Sequence, residues 1–435
     1  MSTAAAPAHA GPAPEADVAS DDAINIPPLS HWQLFLRFLR FGFLAWGGPV
    51  AQIAMLRKEL VDDERWVSSN RFNRTLALYQ VLPGPEAHEL CVYFGYLARG
   101  RLGGVFAGLG FFLPGFFLMF ALTWLYVTFG IAGPAQAIFH GIQPAVVALI
   151  VRAMHRIGGH ALHSPRHHQH RWLWGIALVA MLAALAGVPF WVTLPVGGLI
   201  YLLVKREQPM LAGAVAALFL LAAGAYVTSR MAAVGLLPGL AVAPGVAGAG
   251  SPAGATGNES LLSLFWSGLK AGLLTFGGAY TVISFLQRDA VSAGAWMTNA
   301  QFLDGLALSG ILPAPLIIFS TFVGYLGGGP LGAIALTVGI FLPAFSFTLI
   351  GHDLFERLIQ KEPLHAFLDG VTAGVVGLIT ATAIGLFLTA VTDMPRLLIF
   401  AAALYLLFAW KNRLAILWIV LGAGAVGLLL SLLRG

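Results

Sequence analysis

The sequence contains the same pattern twice, and this duplication constrains the fold more than any other feature. Residues 40–48 (RFGFLAWGG) align with residues 270–278 (KAGLLTFGG) at an offset of 230. Further matches keep this order, at an offset of 230 and then 229: LPGP at 82–85 with LPAP at 312–315, GYL at 95–97 with 324–326, and FLP at 112–114 with 341–343. A shared apolar composition does not produce so many ordered matches. The chain is therefore predicted to fold as two similar halves.

Both halves are too apolar for a water-soluble protein. Of the 435 residues, 58% are hydrophobic and 10% are charged, whereas a typical soluble domain is about 25% charged. The lipid bilayer is therefore predicted as the solvent of an all-α, polytopic membrane protein. Apolar stretches suited to membrane helices occur in thirteen segments: 34–56, 75–98, 104–130, 135–157, 171–187, 189–204, 210–228, 262–287, 302–326, 330–351, 366–392, 396–410 and 413–433.

The segments and linkers divide the chain into four regions. Residues 1–30 are rich in Ala and Pro and contain no apolar run, so a disordered N-terminal tail is predicted. Residues 31–208 form the first repeat and residues 259–435 the second. Between them, residues 209–258 combine a connecting helix with a linker rich in Gly, Ala and Pro.

The distribution of Lys and Arg indicates how the segments cross the membrane, because these cations concentrate in short cytoplasmic loops. If every segment crosses, the cations outside the membrane divide 13 to 8 between the two sides. The division becomes 17 to 4 if the Pro-broken segments 75–98 and 302–326 are re-entrant hairpins, 34–56 and 262–287 do not cross, and the halves are inverted. A parallel second half gives 16 to 5. The count favours hairpins and leaves inverted and parallel repeats both open.

Two cations inside apolar segments precede a Gly-Gly pair: Arg40 before Gly47 and Gly48, and Lys270 before Gly277 and Gly278. A cation at membrane depth costs about 2.5–3.5 kcal/mol on insertion scales, so it usually faces protein or water. A Gly-Gly pair lets the backbone break and expose amide groups, which with a helix N-terminus bind anions. The duplicated pattern predicts one anion site at the interface of the halves. Alternatively, both cations extend to lipid headgroups and the glycines allow close helix packing.

A second pattern places two prolines around a small residue. In the first half these residues are Pro83, Gly84 and Pro85, and in the second half they are Pro313, Ala314 and Pro315. Two prolines remove two amide donors and prevent a continuous helix. Broken backbone at membrane depth is tolerated where it lines a cavity. Both Pro-x-Pro turns are therefore predicted to contribute to the binding site.

An acidic cluster follows the first of these turns, whereas the matched residues of the second half are apolar. Glu86, His88 and Glu89 are predicted to couple transport to protons or to gate the site. The alternative is that the cluster is solvated at the membrane interface and paired with Arg99 or Arg101.

Other functions find little support in the sequence. There is no phosphate-binding loop, no Ser/His/Asp or H-E-x-x-H arrangement, and the net charge of +5 is too scattered to indicate nucleic acid. No cofactor and no metal are predicted. The loop at 158–171 has a density of histidines that would suit a transition metal, although a basic cytoplasmic loop is the simpler interpretation: His160, His163, His167, His168 and His170. A single cysteine, Cys91, excludes an intrachain disulfide.

The combination of these motifs resembles the chromate ion transporter (CHR) family in its long-chain, two-domain form. The motifs are G-x-x-x-[WF]-G-G, L-P-[GA]-P, the Glu after the first turn, G-Y-L and F-L-P. The resemblance covers residues 32–430 and implies a bacterial inner-membrane protein that exports chromate, confers chromate resistance and has halves of opposite orientation. Ala314 and the missing second Glu depart from the family pattern, which implies that the second hairpin is the less functional one. The family's signature positions fall here on Gly47, Gly48, Pro83, Gly84, Pro85 and Glu86, with Gly277, Gly278, Pro313 and Pro315 as their partners.

The sequence therefore predicts a secondary transporter for an oxyanion, with chromate as substrate and Arg40 and Lys270 holding the dianion. Sulfate is also a tetrahedral dianion, and a sulfate or other oxyanion transporter, proton-coupled or exchanging, is the first alternative. A channel would share the topology. A membrane-embedded enzyme would need a carboxylate pair, for which Glu86 and Glu89 are the candidates. The coupling ion and a homodimeric state stay open.

Overall fold

The computed structural model describes residues 24–129, 134–162, 167–233, 259–276, 280–351, 362–410, 412 and 414–434. Most of the predicted tail, residues 234–258 of the predicted linker, and Gly277 and Gly278 lie outside these residues. In the part that is described, the backbone forms helices and turns without a β-strand. Residues 24–30 form neither helix nor strand and lie against the first half, where the N–H of Asn25 donates to the carbonyl oxygen of Trp66 (2.9 Å). The boundaries of the four predicted regions stay predictions.

The described helices of the first half are α1 (His31–Phe43), α2 (Pro49–Leu56), α3 (Ser69–Val81), α4 (Glu86–Phe129), α5 (Pro134–Ala161), α6 (His167–Leu185) and α7 (Phe190–Lys205). Helix α8 (Pro209–Ala233) follows them. The described helices of the second half are α9 (Leu261–Leu273), α10 (Val282–Gln287), α11 (Asn299–Gly310), α12 (Phe319–Leu349), α13 (Glu362–Ala390), α14 (Met394–Ala409) and α15 (Ala415–Arg434). Both α2 and α10 continue as π-helical turns, Arg57–Asp63 and Arg288–Ala293.

The duplication extends to the residues that begin the helices. Ser30 caps α1 by accepting a hydrogen bond from the N–H of Gln33 (3.2 Å), and Ser260 caps α9 in the same way. Ser68 and Thr298 cap α3 and α11. A side-chain oxygen at this position satisfies an N–H that has no partner inside the helix. Short-range sequence therefore sets the same helix starts in both halves.

The first hairpin of the first half turns at its Gly-Gly pair, Gly47 and Gly48. Residues 44–48, named Gly tip 1, join α1 to α2. Residues 274–276, which follow α9 at the equivalent position, are named Gly tip 2. The two helical arms of the first hairpin fold back on each other, since Arg40 of α1 contacts Glu59 beyond α2 (Nη1–Oε1 2.9 Å). The segment 34–56, considered above as one that does not cross the membrane, is thus a hairpin rather than one continuous helix.

The second hairpin of each half turns at its Pro-x-Pro sequence. Residues 82–85, named Pro tip 1, join α3 to α4, and residues 312–315, named Pro tip 2, join α11 to the 3₁₀ turn before α12. The ring of Phe72 in α3 stacks on that of Phe94 in α4, with centroids 6.3 Å apart, so the two sides of this hairpin lie together. In the second half, the ring centroid of Phe302 in α11 lies 5.5 Å from that of Phe319 in α12. Both Pro-broken hairpins are therefore present in the fold, and their re-entry into the membrane stays a prediction.

Helices α4 and α12 each reverse direction at a glycine. Residues Arg99 and Gly100 are non-helical and split α4 into arms 86–98 and 101–129. The arms pack so closely that a Cβ on Gly95 would lie 2.4 Å from the carbonyl oxygen of Gly103. The equivalent Gly324 and Gly332 show the same 2.4 Å approach in α12, which is interrupted at Gly328 and Gly329.

Equivalent helices of the two halves run antiparallel. A Cβ on Gly104 would lie 2.4 Å from Leu349, and one on Gly108 would lie 2.5 Å from the ring of Phe345, so residue numbers rise along α4 while they fall along α12. Two equivalent helices that cross a membrane antiparallel are related by a two-fold axis in the membrane plane. The halves are therefore inverted repeats, and the parallel alternative is excluded.

The halves are also intertwined. Gly141 of α5 touches α15, where a Cβ on it would lie 2.8 Å from the Cα of Gly427. In the equivalent contact, a Cβ on Gly370 of α13 would lie 2.5 Å from the carbonyl oxygen of Gly197 in α7. Each half thus completes its packing with the last helix of the other, and small residues permit the close approach.

Six helices in the described part of the chain are long and apolar enough to cross a membrane: Glu86–Phe129, Gln136–Gly159, Pro209–Ser229, Leu316–Leu349, Glu362–Ala390 and Ala415–Leu433. Large apolar side chains point outward from these and neighbouring helices. Phe117, Trp191 and Leu221 are 62%, 66% and 72% exposed. Such a surface requires lipid around it, which confirms the predicted polytopic membrane protein.

Candidate functional site

Each Pro tip lies against the Gly tip of the other half. The N–H of Gly84 in Pro tip 1 donates to the carbonyl oxygen of Thr275 in Gly tip 2 (3.0 Å). The side-chain amide of Gln52, one turn beyond Gly tip 1, donates to the carbonyl oxygen of Ala314 in Pro tip 2 (3.1 Å) and to that of Ala45 (2.9 Å). The side chain of Gln52 is buried, where water does not compete for these bonds. Two crossed contacts thus join the predicted elements of the anion site.

Gly tip 1 presents backbone amides at the start of a helix. Gly47 and Gly48 have φ values of 91° and 80°, which a residue with a Cβ rarely adopts. Pro49 then occupies the first turn of α2, and no side chain caps this helix end. The positive end of the helix dipole and the uncapped amides of the first turn together favour an anion. The equivalent Gly277 and Gly278 lie outside the described residues.

A cleft opens beside Gly tip 1, between the halves. Its walls combine Gly48 with Tyr280, Ser309 and Ala314 of the second half, and with apolar residues of α5, α11 and α15. The cleft has a cavity volume of about 40 Å³. A Cβ on Gly48 would lie 3.4 Å from the hydroxyl oxygen of Tyr280, so backbone and hydroxyl face each other across the cleft. Among the described residues no charged side chain lines it.

Arg40 and Lys270 pair with carboxylates instead of lining this cleft. Arg40 Nη1 lies 2.9 Å from Glu59 Oε1, and Lys270 Nζ lies 2.9 Å from Asp289 Oδ2. The two acids, like the two bases, are equivalent positions of the repeat. The side chains of Arg40 and Lys270 are 63% and 49% exposed. Direct binding of an anion by these cations stays a prediction, and in this conformation each has a carboxylate partner.

The acidic cluster after Pro tip 1 is largely buried. His88 and Glu89 have no exposed surface, whereas Glu86 is half-buried. Neither carboxyl oxygen of Glu89 hydrogen-bonds to another described protein group, and no described side chain hydrogen-bonds to the ring nitrogens of His88. Arg99, whose Nε donates to the carbonyl oxygen of Leu29 (2.6 Å), is engaged elsewhere. The alternative of a solvated, Arg-paired cluster is therefore wrong for His88 and Glu89.

These two side chains occupy different surroundings. The imidazole of His88 lies among three phenylalanine rings of the two halves, with centroids 5.9 Å from Phe112, 5.0 Å from Phe341 and 4.8 Å from Phe345. The carboxyl of Glu89 lies directly against Pro tip 1, where a Cβ on Gly84 would be 2.6 Å from its Oε1. Buried polar groups without partners are rare in proteins and call for a functional explanation.

Sequence reasoning missed a further buried carboxylate, Asp304 in α11. Its Oδ2 accepts a hydrogen bond from the hydroxyl of Tyr126 in α4 (2.9 Å), and its Oδ1 accepts one from the side-chain amide of Gln143 in α5 (2.9 Å). Only 4% of Asp304 is exposed. The available signal was its position as the sole charged residue of the predicted segment 302–326. Its partners were not predictable, because they lie in the other half.

No group of three or more His, Cys, Asp and Glu residues is placed to hold a metal ion within the described residues. The histidine-rich loop at 158–171 lies partly outside them, so metal binding there stays open.

The sequence matches known proteins over both halves. The family model described as chromate transporter matches residues 32–203 and 262–428. The chromate transport protein of Pseudomonas aeruginosa is 57% identical over 406 residues, which cover 92% of this chain and 92% of the relative. The chromate transport protein of Cupriavidus metallidurans is 30% identical over 420 residues, which cover 96% and 97%. The probable chromate transport protein of Synechococcus elongatus is 30% identical over 404 residues, which cover 90% and 93%.

No solved structure matches the chain. The family model covers both halves, and the relatives align over more than nine-tenths of their own length. The predicted resemblance is confirmed: the chain belongs to the chromate transporter family.

Proposed function

We propose that this protein is a secondary transporter that exports chromate across the bacterial inner membrane and so confers chromate resistance. One observation carries the proposal: each Pro tip contacts the Gly tip of the other half, so the predicted binding elements meet at the interface of two inverted repeats. In such an arrangement, rocking of one repeat against the other exposes the same site to either side of the membrane. The names of the relatives supply the substrate.

The membrane potential suffices to drive export. A dianion that leaves a cell with a negative interior gains about 2.3 kcal/mol per charge and per 100 mV, and therefore about 4.6 kcal/mol for two charges. Export then requires no ATP. Uptake against the same potential would require a cotransported cation or proton.

The anion site that we propose is the cleft at Gly tip 1. The backbone amides at Gly47 and Gly48 and the hydroxyl of Tyr280 would replace part of the hydration shell of the dianion. Pro313 and Pro315 hold the broken backbone of Pro tip 2 opposite. In the other half of the site, Pro83, Gly84 and Pro85 form the tip that contacts Thr275. Arg40, near the end of α1, and Lys270, near the end of α9, would attract the anion by their charge.

His88 and Glu89, with Glu86 at the rim, form the gate in this proposal. They lie between Pro tip 1 and the phenylalanine rings at the centre of the molecule, where the halves must move when access alternates. A polar group without a partner in one conformation can gain one in the other, which makes burial here tolerable.

Sulfate is the second candidate substrate. The cleft offers amide and hydroxyl donors, and these do not separate two tetrahedral dianions of similar size. We propose no catalytic role. A membrane-embedded enzyme would need Glu86 and Glu89 as its carboxylate pair, whereas Glu89 is enclosed against Gly84. A homodimer stays a prediction, to be tested by mass measurement of single particles in nanodiscs.

Flux in everted membrane vesicles tests the function. With the membrane potential and the pH gradient varied separately, the potential alone should drive chromate into the vesicle lumen. Gly48→Ala should reduce this flux at least about tenfold, because a Cβ strains the left-handed backbone and crowds the hydroxyl of Tyr280. Gly385→Ala is the matched control, since a Cβ at Gly385 in α13 meets no atom within 4 Å.

Three outcomes would contradict the proposal. Accumulation of sulfate in place of chromate would assign the second substrate. Absence of both fluxes at normal expression would reject oxyanion transport. Normal chromate flux in Gly48→Ala would remove the anion site from Gly tip 1.

A further inference from the structure

Asp304 joins the two halves through hydrogen bonds to side chains of two different helices. It belongs to α11 of the second half, whereas Tyr126 and Gln143 belong to α4 and α5 of the first half. Neither the gate nor the anion site includes any of these residues. A carboxylate enclosed at membrane depth is costly, and such residues mark ion or proton pathways.

The two partners of Asp304 suit both of its protonation states. A tyrosine hydroxyl both donates and accepts, and a glutamine amide carries donors on nitrogen and an acceptor on oxygen. When Asp304 is ionised, both groups donate to it, as observed. When it carries a proton, its O–H can donate to Tyr126 Oη, or to Gln143 Oε1 after the amide turns over. Glu89 differs, because its carboxyl oxygens have no hydrogen-bond partner among the described residues.

Asp304 lies on the elements that build the cleft. From Asp304, α11 continues to Leu306, Ser309 and Gly310, which line the cleft, and then enters Pro tip 2. Gln143 precedes the cleft-lining Val146 by three residues, about one turn of α5. A change in these hydrogen bonds therefore acts on both walls of the proposed anion site.

Tyr126 is the titratable side chain that contacts Asp304 among the described residues. On α4, the charged residues and His88 lie in or next to the first arm, far along the helix from Tyr126. Other titratable and charged groups on the helices packed against α11 face elsewhere. On α5, His140 lies with Arg396 and Asp393, His155 packs on Phe408, and Arg152 and Arg156 interact with Tyr280. On α12, Tyr325 packs on Phe120, and on α13, Asp369 lies with His365 and Lys205. In the described part of the chain, Asp304 thus takes part in no ion pair.

We propose that Asp304 is a proton-binding site that couples anion transport to pH, with Tyr126 and Gln143 as positioning residues across the interface of the halves. The ionised form holds α11 to α4 and α5 through two charge-assisted bonds. Proton uptake weakens these bonds, because neutral hydrogen bonds are roughly half as strong. Protonation thereby releases Pro tip 2 from the first half and favours the alternate access state. This inference rests on the transport function proposed above.

The first test measures chromate flux in everted vesicles at fixed membrane potential over a range of pH. Wild-type flux should change up to about tenfold per pH unit on one side of its midpoint, as a single group titrates. Asp304→Asn is isosteric and cannot ionise, so it should keep flux but vary less than about twofold over the same range. Asp393→Asn is the matched control: Asn caps α14 as well as Asp does, and it should follow the wild type.

Tyr126→Phe tests the positioning role. It removes one donor to the ionised form, so the proton affinity should rise and the midpoint should move to higher pH by about one to two units. A merely structural role would lower the flux without moving the midpoint. If Asp304→Asn retains the wild-type pH profile, or if Glu89→Gln flattens it instead, the proposal is overturned.

A second measurement does not depend on chromate. Infrared difference spectra of the full chain in lipid nanodiscs, recorded across a pH titration, should contain the carbonyl stretch of a protonated carboxyl. This band should be lost in Asp304→Asn and retained in Asp393→Asn. Its persistence in Asp304→Asn would reject the proton site. If the wild type shows no chromate flux while the band is lost in Asp304→Asn, the transport function is rejected and the proton site is still supported.

Discussion

Phe112 and Phe341 occupy equivalent positions in the two halves and stack on each other, with ring centroids 4.6 Å apart and planes inclined by 16°. Two equivalent residues touch where the pseudo-two-fold axis passes between them. Both are buried, at 9% and 2% exposure, and His88 packs against both rings. His88, which we propose as part of the gate, is therefore in contact with the centre of the molecule.

Because Phe112 and Phe341 are related by the axis, their substitutions should have matching effects. Phe112→Ala and Phe341→Ala should each lower the free energy of unfolding by about 3 kcal/mol, measured by denaturation in mixed micelles. The double variant should cost less than the sum of both by about 0.5–1.5 kcal/mol, since one stacked pair is lost. Phe117→Ala, at a lipid-facing position, is the control. Strictly additive losses would show that the rings do not interact.

Substitutions of Arg40 and Glu59 test whether Arg40 binds the anion or only stabilises the structure. If Arg40 binds the anion, Arg40→Ala should raise the chromate concentration at half-maximal flux about tenfold, and Glu59→Gln should leave it unchanged. Lys270→Ala and Asp289→Asn repeat the comparison in the second half. If Arg40→Ala, Glu59→Gln and their double variant are equally impaired, the ion pair is purely structural.

Gly84 leaves room for the Glu89 carboxyl. Gly84→Ala would place a Cβ 2.6 Å from Glu89 Oε1, and the resulting displacement should destabilise the protein by about 1–3 kcal/mol. Glu89→Ala should relieve the crowding, so Gly84→Ala should cost markedly less in that background. Thermal unfolding of the purified protein gives both values. An equal cost in the two backgrounds would mean that residue 84 and the Glu89 side chain are not in contact.

Cysteine labelling tests the inverted topology. In a Cys91→Ser background, Ser68→Cys and Arg101→Cys should react from the same side of the membrane, because the hairpin between them returns to its starting face. Thr298→Cys, at the position equivalent to Ser68, should react from the opposite side. A membrane-impermeant thiol reagent applied to intact cells and to everted vesicles distinguishes the cases. Labelling of all three from one side would contradict inversion.

The breaks and helix starts were predictable because they depend on neighbours in sequence. Pro83 and Pro85 stop a helix wherever they occur, Gly47 and Gly48 permit a left-handed backbone, and a Ser at position 30 caps the helix after it. The hairpins followed from these breaks together with the cation count.

The pairing of side chains was less accessible to sequence reasoning. Arg40 and Lys270 were expected to hold an anion, and the structure shows each beside a carboxylate that the hairpin brings back to it. Asp304 was not singled out, since Tyr126 and Gln143 lie 178 and 161 residues away along the chain. Such contacts depend on how helices from both halves assemble.

By itself, the sequence determined the solvent, the duplication and the positions of the breaks, because hydropathy, repetition and backbone stereochemistry act over short stretches. Charge counting could not decide between inverted and parallel halves. Tertiary structure decided this, through the antiparallel contact of Gly108 with Phe345. It also decided the crossing of the tips and the burial of Glu89. These properties arise from packing between residues far apart in the chain, where shape and close approach select one arrangement among several that the sequence pattern allows.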